Sequence, residues 1–327
     1  MRMRRPVPIY LLLAFGISWS IAAVAWSAGV EYGGGPATVA VGGAFMLGPA
    51  IAAFIVRRKV DRRDLAGLGL TLRGIRWKWM GITVLLGMAI PAFNTLICWL
   101  FGDGLGIDGF GHTSVSRSMF LDQVTRLASE QGLDPDTIGG QLDRLRDLPL
   151  PGVAVYGLVL ISALIAALTV NLPFMFGEEF GWRGFLLHHT RHLGLWRHVL
   201  LTGIVWGLWH APLILQGHNY PAHPVAGVFL MVVFTLLLSV PFAWVRVRAR
   251  CIWAPCVLHG LVNGTAGIGL YFTEGGDPLL ASPVGLSGML AVALTGLLLL
   301  VADPTFAKDL RATSPDHSPS ADPAGGM

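Results

Sequence analysis

The string Phe176-Gly-Glu-Glu-Phe-Gly-Trp-Arg-Gly-Phe sets two adjacent carboxylates, Glu178 and Glu179, and one guanidinium, Arg183, among aromatic and small residues. A charge at the centre of a bilayer costs about 2.5–3.5 kcal/mol on insertion scales, so acids in so apolar a setting are expected to serve a function. On a helix, Glu179 and Arg183 are four residues apart and share a face, acid first, which is the better orientation for an ion pair. Glu178 points about 100° away. The pattern predicts a structural Glu179–Arg183 pair and a chemically available Glu178, against the plainer reading of a Glu–Glu–Arg cluster that only ties helices together. Two later apolar stretches add polar groups. Val205-Trp-Gly-Leu-Trp-His carries Trp206 and His210, and Cys256-Val-Leu-His-Gly-Leu-Val-Asn carries His259 and Asn263 on one helical face. A carboxylate and an imidazole can take a proton from water and return it to a leaving amine. A second imidazole and an amide can donate to the oxyanion of a tetrahedral intermediate. Apart from Cys256, no Ser or Cys stands beside these groups, which disfavours a covalent nucleophile. Glu178, His210 and His259 could instead hold a catalytic Zn2+, although no His-Glu-x-x-His spacing is present.

The elements that must position these residues follow from composition. The 327 residues are 54% hydrophobic and only 13% charged, with mean hydropathy +0.63. Most of the charge falls in segments 1–5, 57–78, 102–150 and 303–327. A soluble fold could not cover its surface with so little charge, and a disordered chain would not be this apolar. The expected class is an all-α polytopic membrane protein. Apolar runs long enough to cross a bilayer, about 20 residues each, lie at 7–29, 36–56, 79–101, 153–176, 198–217, 224–245, 251–272 and 283–302, eight in all. Residues 1–302 would form the membrane domain, with a catalytic core over 150–272. Segment 102–150 would be extracytoplasmic and helical, over 116–132 and again over 137–145. The tail 303–327 reads as disordered. Cys98, Cys251 and Cys256 lie in apolar runs at no metal-like spacing, so no disulfide framework is expected.

Orientation comes from the loops. With the N-terminus cytoplasmic, 19 of the 23 basic residues fall on cytoplasmic segments, as the positive-inside rule requires. Both termini are therefore expected in the cytoplasm, and the net charge of +4 reflects orientation rather than nucleic-acid binding. Depth poses a difficulty. On a continuous helix from Gly152, Glu178 would lie about 39 Å along, beyond the hydrocarbon core. Asn171, Pro173 and Gly177 could break or tilt that helix; either way the site is expected to open toward the cytoplasmic side. His188, His189, His192, His198, His218 and His223 fall at span ends, where solvated or interfacial roles are expected.

Glu178-Glu179-x-x-x-Arg183, Trp206-x-x-x-His210 and His259-x-x-x-Asn263, in this order in apolar spans, resemble the CPBP family of CAAX prenyl endopeptidases and Abi-type bacteriocin-processing or self-immunity proteins. The resemblance implies an intramembrane glutamic-type endopeptidase that needs no cofactor. Glu178 and His210 would activate water, His259 and Asn263 would form the oxyanion hole, and Glu179 with Arg183 would brace Glu178. It implies a lipidated or membrane-anchored peptide substrate, no nucleic-acid partner, and residence in the bilayer of a bacterial plasma membrane. The family usually has Phe where this chain has Trp206. Two competing readings are a proton- or cation-coupled transporter and an inactive immunity or binding protein of the same family. A transporter would be expected to carry inverted repeats, which the sequence lacks.

Overall fold

The computed structural model describes residues 5–30, 35–72, 74–130, 139–140 and 146–312. Helices dominate. The first three are α1 (Pro6–Ser27), α2 (Pro36–Lys59) and α3 (Trp77–Trp99). Helix α4 (Arg117–Glu130) follows, then α5 (Gly152–Leu168) and α6 (Leu172–Glu179). Next come α7 (Leu195–Trp209), α8 (Ala211–Leu215) and α9 (Pro224–Ala249). The chain closes with α10 (Trp253–Gly264), α11 (Ile268–Phe272), α12 (Leu286–Ala302) and α13 (Phe306–Ala312). Pro6, Pro36 and Pro224 each open a helix, where the missing N–H costs nothing and the fixed φ is already helical.

Among the described residues, six helices are long and apolar enough to cross a membrane, or seven if one bent pair counts as a single span. The protein is thus an integral membrane protein, and the expected class holds. The count of eight is not reached. The expected span 251–272 divides into α10, twelve residues long, and the five-residue α11. The Thr265 hydroxyl donates back to the Leu261 carbonyl there, and Gly264 and Gly267 flank the break. The bent pair is the expected span 153–176. Its helix breaks after Leu168 and resumes at Leu172 with a 64° bend, and Pro173 supplies no N–H to continue the ladder. The sequence had left this break or tilt open, and it removes the depth problem of Glu178.

The short α10 is fixed by close contact with α5. A Cβ on Gly260 would stand 2.7 Å from the Ala167 Cβ, so only hydrogen fits. Gly207 of α7 likewise approaches the Val232 Cα of α9, 2.5 Å from where a Cβ would be. Over the end opposite the termini, β1 (His112–Thr113) pairs antiparallel with β2 (Thr273–Glu274). Helix α4 confirms the first helix expected in 102–150, and its Phe120 packs on Tyr271 and Phe272. The second helix, expected over 137–145, lies mostly outside the described residues, as does 313–327.

The beginning of the tail departs from the expected disorder. Arg248 donates to both carboxylate oxygens of Asp303 and to Asp309, and the Trp244 indole N–H donates to Asp303. Phe306 and Leu310 are buried beneath α13. Two carboxylates and two apolar side chains at helical spacing dock a segment whose Pro and Ser content suggested none.

Candidate functional site

Glu178 and Glu179 close α6, and the chain passes directly into a π-helical stretch, Phe180–Leu186, that carries Arg183. Such wide turns inside helices are common at functional sites. All three charged side chains are buried, at 2%, 0% and 1% exposure. The Arg183 guanidinium donates to Glu179 Oε1 at 2.9 Å, which is the pair expected from the i,i+4 spacing. The brace leads elsewhere than expected, however. His259 Nδ1 also meets Glu179 Oε1, at 2.9 Å, so Glu179 holds His259 rather than Glu178. Glu178 is held by the fifth apolar stretch instead: the Trp206 indole N–H donates to its Oε2 at 2.7 Å.

Trp206 is the hub of the cluster. Its ring lies 6.0 Å from the His210 ring and 5.5 Å from that of His259. The Arg183 guanidinium carbon stacks 4.1 Å above it and 4.4 Å from the Phe242 ring. Two aromatic faces thereby share a desolvated cation. A Phe here would keep the ring but offer no N–H to Glu178.

The histidine tautomers follow from their partners. His210 Nδ1 lies 2.8 Å from the Trp206 carbonyl oxygen. A carbonyl can only accept, so Nδ1 carries the proton and the neutral ring keeps its lone pair on Nε2. His259 Nδ1 likewise donates to a carboxylate. Asn263 Nδ2 rests 3.6 Å from the Met175 sulfur, a weak acceptor that a better one would displace.

Glu178, His210, His259, Asn263 and Trp206 all line one cavity of about 450 Å³, whose walls include Phe45, Ile90, Trp209, Phe234 and Leu238. The cavity takes the first half of α2 (Thr38 to Met46) and the second half of α3 (Ile90 to Asn94). It also takes the middle of α9 (Met231 to Leu238), mostly on its N-terminal side, and the start of α12 (Gly288). Each of these is the part of its helix remote from both chain termini.

Among the described residues, no group of three or more His, Cys, Asp or Glu side chains is placed so that it could hold a metal ion. Sequence reasoning also misplaced three other histidines. His198 is buried against the Thr190 hydroxyl at 2.7 Å. His189 bridges the Phe185 carbonyl and Asp61. His218 lines the cavity.

A buried acid, two imidazoles and an amide thus surround one cavity among apolar helices. Residues 154–265 match the family described as type II CAAX prenyl endopeptidase Rce1-like. That stretch holds Glu178, Glu179, Arg183, Trp206, His210, His259 and Asn263, and the match supports a function of the CAAX intramembrane endopeptidase kind. Curated proteins include no match to the chain.

Proposed function

We propose that the chain is a glutamic-type intramembrane endopeptidase that cleaves a membrane-anchored or lipidated polypeptide. The observation that carries this reading is the common cavity of Glu178, His210, His259 and Asn263, with His210 held so that its Nε2 lone pair is available. Water in this cavity loses a proton to the Glu178–His210 pair as its oxygen bonds to the scissile carbonyl carbon. The oxyanion accepts from Asn263 Nδ2 and from His259 Nε2. Because His259 Nδ1–H is already given to Glu179, an Nε2 donor exists only in the imidazolium form, with Glu179 as its counter-ion. The intermediate collapses, the C–N bond breaks, and the amine leaves with the proton that water gave up. Glu179 and Arg183 act by fixing His259, and Trp206 acts by fixing Glu178.

The apolar walls around this polar centre suit a lipid chain or an apolar transmembrane segment. The cavity's position in the half opposite the termini supports approach from the extracytoplasmic leaflet. The test is cleavage of labelled lipidated and transmembrane peptides by the purified protein in nanodiscs. His210→Ala should lower kcat by about 10²–10⁴, and activity should survive EDTA. Cleavage by His210→Ala at the wild-type rate would overturn the proposed roles. Loss with EDTA and recovery with Zn2+ would overturn the glutamic mechanism.

A further inference from the structure

Helix α13 lies against the start of α7, and the two leave a concavity of about 810 Å³ between them. Its lining carries three cations, Arg197 from α7 with Lys308 and Arg311 from α13, and no acid. Among the described residues, none of the three makes a hydrogen bond or an ion pair. Asp303 and Asp309 are both taken by Arg248, which docks α13 but leaves the concavity without a carboxylate. A Cβ on Gly194 would collide with the Arg311 guanidinium. Glycine at this position, where φ is +85°, therefore lets the cation rest at the N-terminus of α7. That helix end has no side-chain cap, and its dipole adds to the positive field. Three cations and a helix N-terminus gathered without a counter-charge repel one another, and a bound anion relieves that repulsion.

The setting decides which anion. Helix α7 opens the candidate span Leu195–Leu215, and α13 follows directly on the span that ends at Ala302. The concavity thus lies where helices leave the hydrocarbon and meet the headgroups. Trp196 is 65% exposed, and Leu200, four residues on along the same helix face, is 54% exposed. Exposed Trp is enriched at the level of the headgroups, and here it stands beside the cations with an apolar side chain one turn further into the span. A free phosphate would use the cations alone, whereas a lipid uses both surfaces. Basic pockets between membrane helices are suited to anionic headgroups.

We propose that this concavity binds an anionic phospholipid, its phosphodiester held by Arg197, Lys308 and Arg311 and its acyl chain lying along Trp196 and Leu200. The site shares no lining residue with the cavity of Glu178 and His210, so it stands independently of the endopeptidase reading.

The test is the Kd of phosphatidylglycerol carrying a fluorophore on its acyl chain, measured with the purified full chain in a neutral detergent. Phosphatidylcholine labelled in the same way is the zwitterionic comparison. A Lys or Arg at the membrane surface is worth about a fivefold factor in affinity for an anionic lipid. Arg197→Gln and Lys308→Gln should each raise the phosphatidylglycerol Kd about fivefold, and together about 25-fold. The phosphatidylcholine Kd should stay within about twofold. Both side chains are exposed, so thermal unfolding should remain at the wild-type value. Lys59→Gln removes an exposed cation at the end of α2, outside the concavity, and should leave both Kd values unchanged. A wild type that does not favour phosphatidylglycerol, a Kd unmoved by the double substitution, or an equal loss from Lys59→Gln would overturn the proposal. Full displacement of the labelled lipid by millimolar inorganic phosphate would show a site for free phosphate and overturn the lipid as its occupant.

Discussion

Trp206→Phe removes one N–H and leaves an aromatic ring in place. In the native protein that N–H donates to Glu178 Oε2 at 2.7 Å in a buried setting. A hydrogen bond to a charged group contributes about 1.5–3 kcal/mol. If the bond fixes the carboxylate in its reacting position, kcat should fall by about 10- to 150-fold, since 1.4 kcal/mol is a factor of ten. The Phe ring still stacks on Arg183, and Phe242 at 4.4 Å still covers the guanidinium. The loss of stability should therefore be small beside the roughly 3–5 kcal/mol of a Trp→Ala truncation. The assay is kcat and KM on a fluorogenic membrane peptide, with thermal unfolding as a control for folding. A double-mutant cycle sharpens it. In a Glu178→Gln background the same substitution should cost almost nothing further, because the group that it positions is already disabled. A single mutant with kcat within twofold of wild type, or effects that simply multiply in the double mutant, would refute the reasoning.

Three other substitutions or conditions probe the surrounding structure. Glu179→Gln leaves the Arg183 charge buried without its counter-charge and weakens the hold on His259, so it should destabilise the protein by about 3–5 kcal/mol. Thermal unfolding in detergent should show a clearly larger loss than Glu178→Gln, and equal stabilities would contradict the ion-pair role. Gly181→Ala should be destabilising by about 1–3 kcal/mol, because its Cβ would stand 2.5 Å from both the Pro49 Cβ and the Tyr10 hydroxyl. Gly81→Ala, whose Cβ meets nothing within 4 Å, should be neutral or gain up to about 1 kcal/mol. The same melts compare the two. The Arg248 hydrogen bonds hold Asp309 below its ordinary range. Burial alone would raise Asp303, but its bonds to Arg248, Thr305 and Trp244 outweigh that and hold it low as well. A depressed carboxylate stabilises fully above its unfolded value and loses that contribution as pH falls toward its folded one. The docking of α13 should therefore be intact at pH 7 and weaken below about pH 4. Hydrogen-exchange protection of Phe306–Ala312, corrected for intrinsic rates, would report this, and protection unchanged down to pH 3 would contradict it.

The residues of the site were legible because membrane helices carry so few polar groups that Glu178, Glu179, Arg183, His259 and Asn263 stand out. Spacing on a helix also predicted the Glu179–Arg183 pair. What spacing could not reveal is which atom meets which across helices. His259 is eighty residues from Glu179, and its choice of that carboxylate depends on how α10 seats against α6. The role of the Trp206 indole as a donor to Glu178 was not legible, because a ring's N–H matters only once its partner is placed. His218 was assigned to solvent because a residue between spans normally faces water; the left-handed Gly217 and Asn219 fold it back inward. Asn219 beside Gly217 was the one available signal. The count of eight spans is not reached among the described residues for a related reason. Residues 251–272 are apolar throughout, but hydropathy does not register the break near Gly264 that divides them. The break between Leu168 and Leu172, with its 64° bend, lies where Asn171 and Pro173 had suggested one.

The central claim is that Glu178 is the carboxylate that activates water. Its most direct test is the single-turnover cleavage rate of a lipidated transmembrane peptide in nanodiscs by wild type and by Glu178→Gln, a near-isosteric change that keeps an acceptor for the Trp206 N–H. The account predicts a rate lower by about 10²–10⁴ with peptide binding and thermal stability close to wild type. A Glu178→Gln protein that cleaves within about threefold of wild type would contradict it.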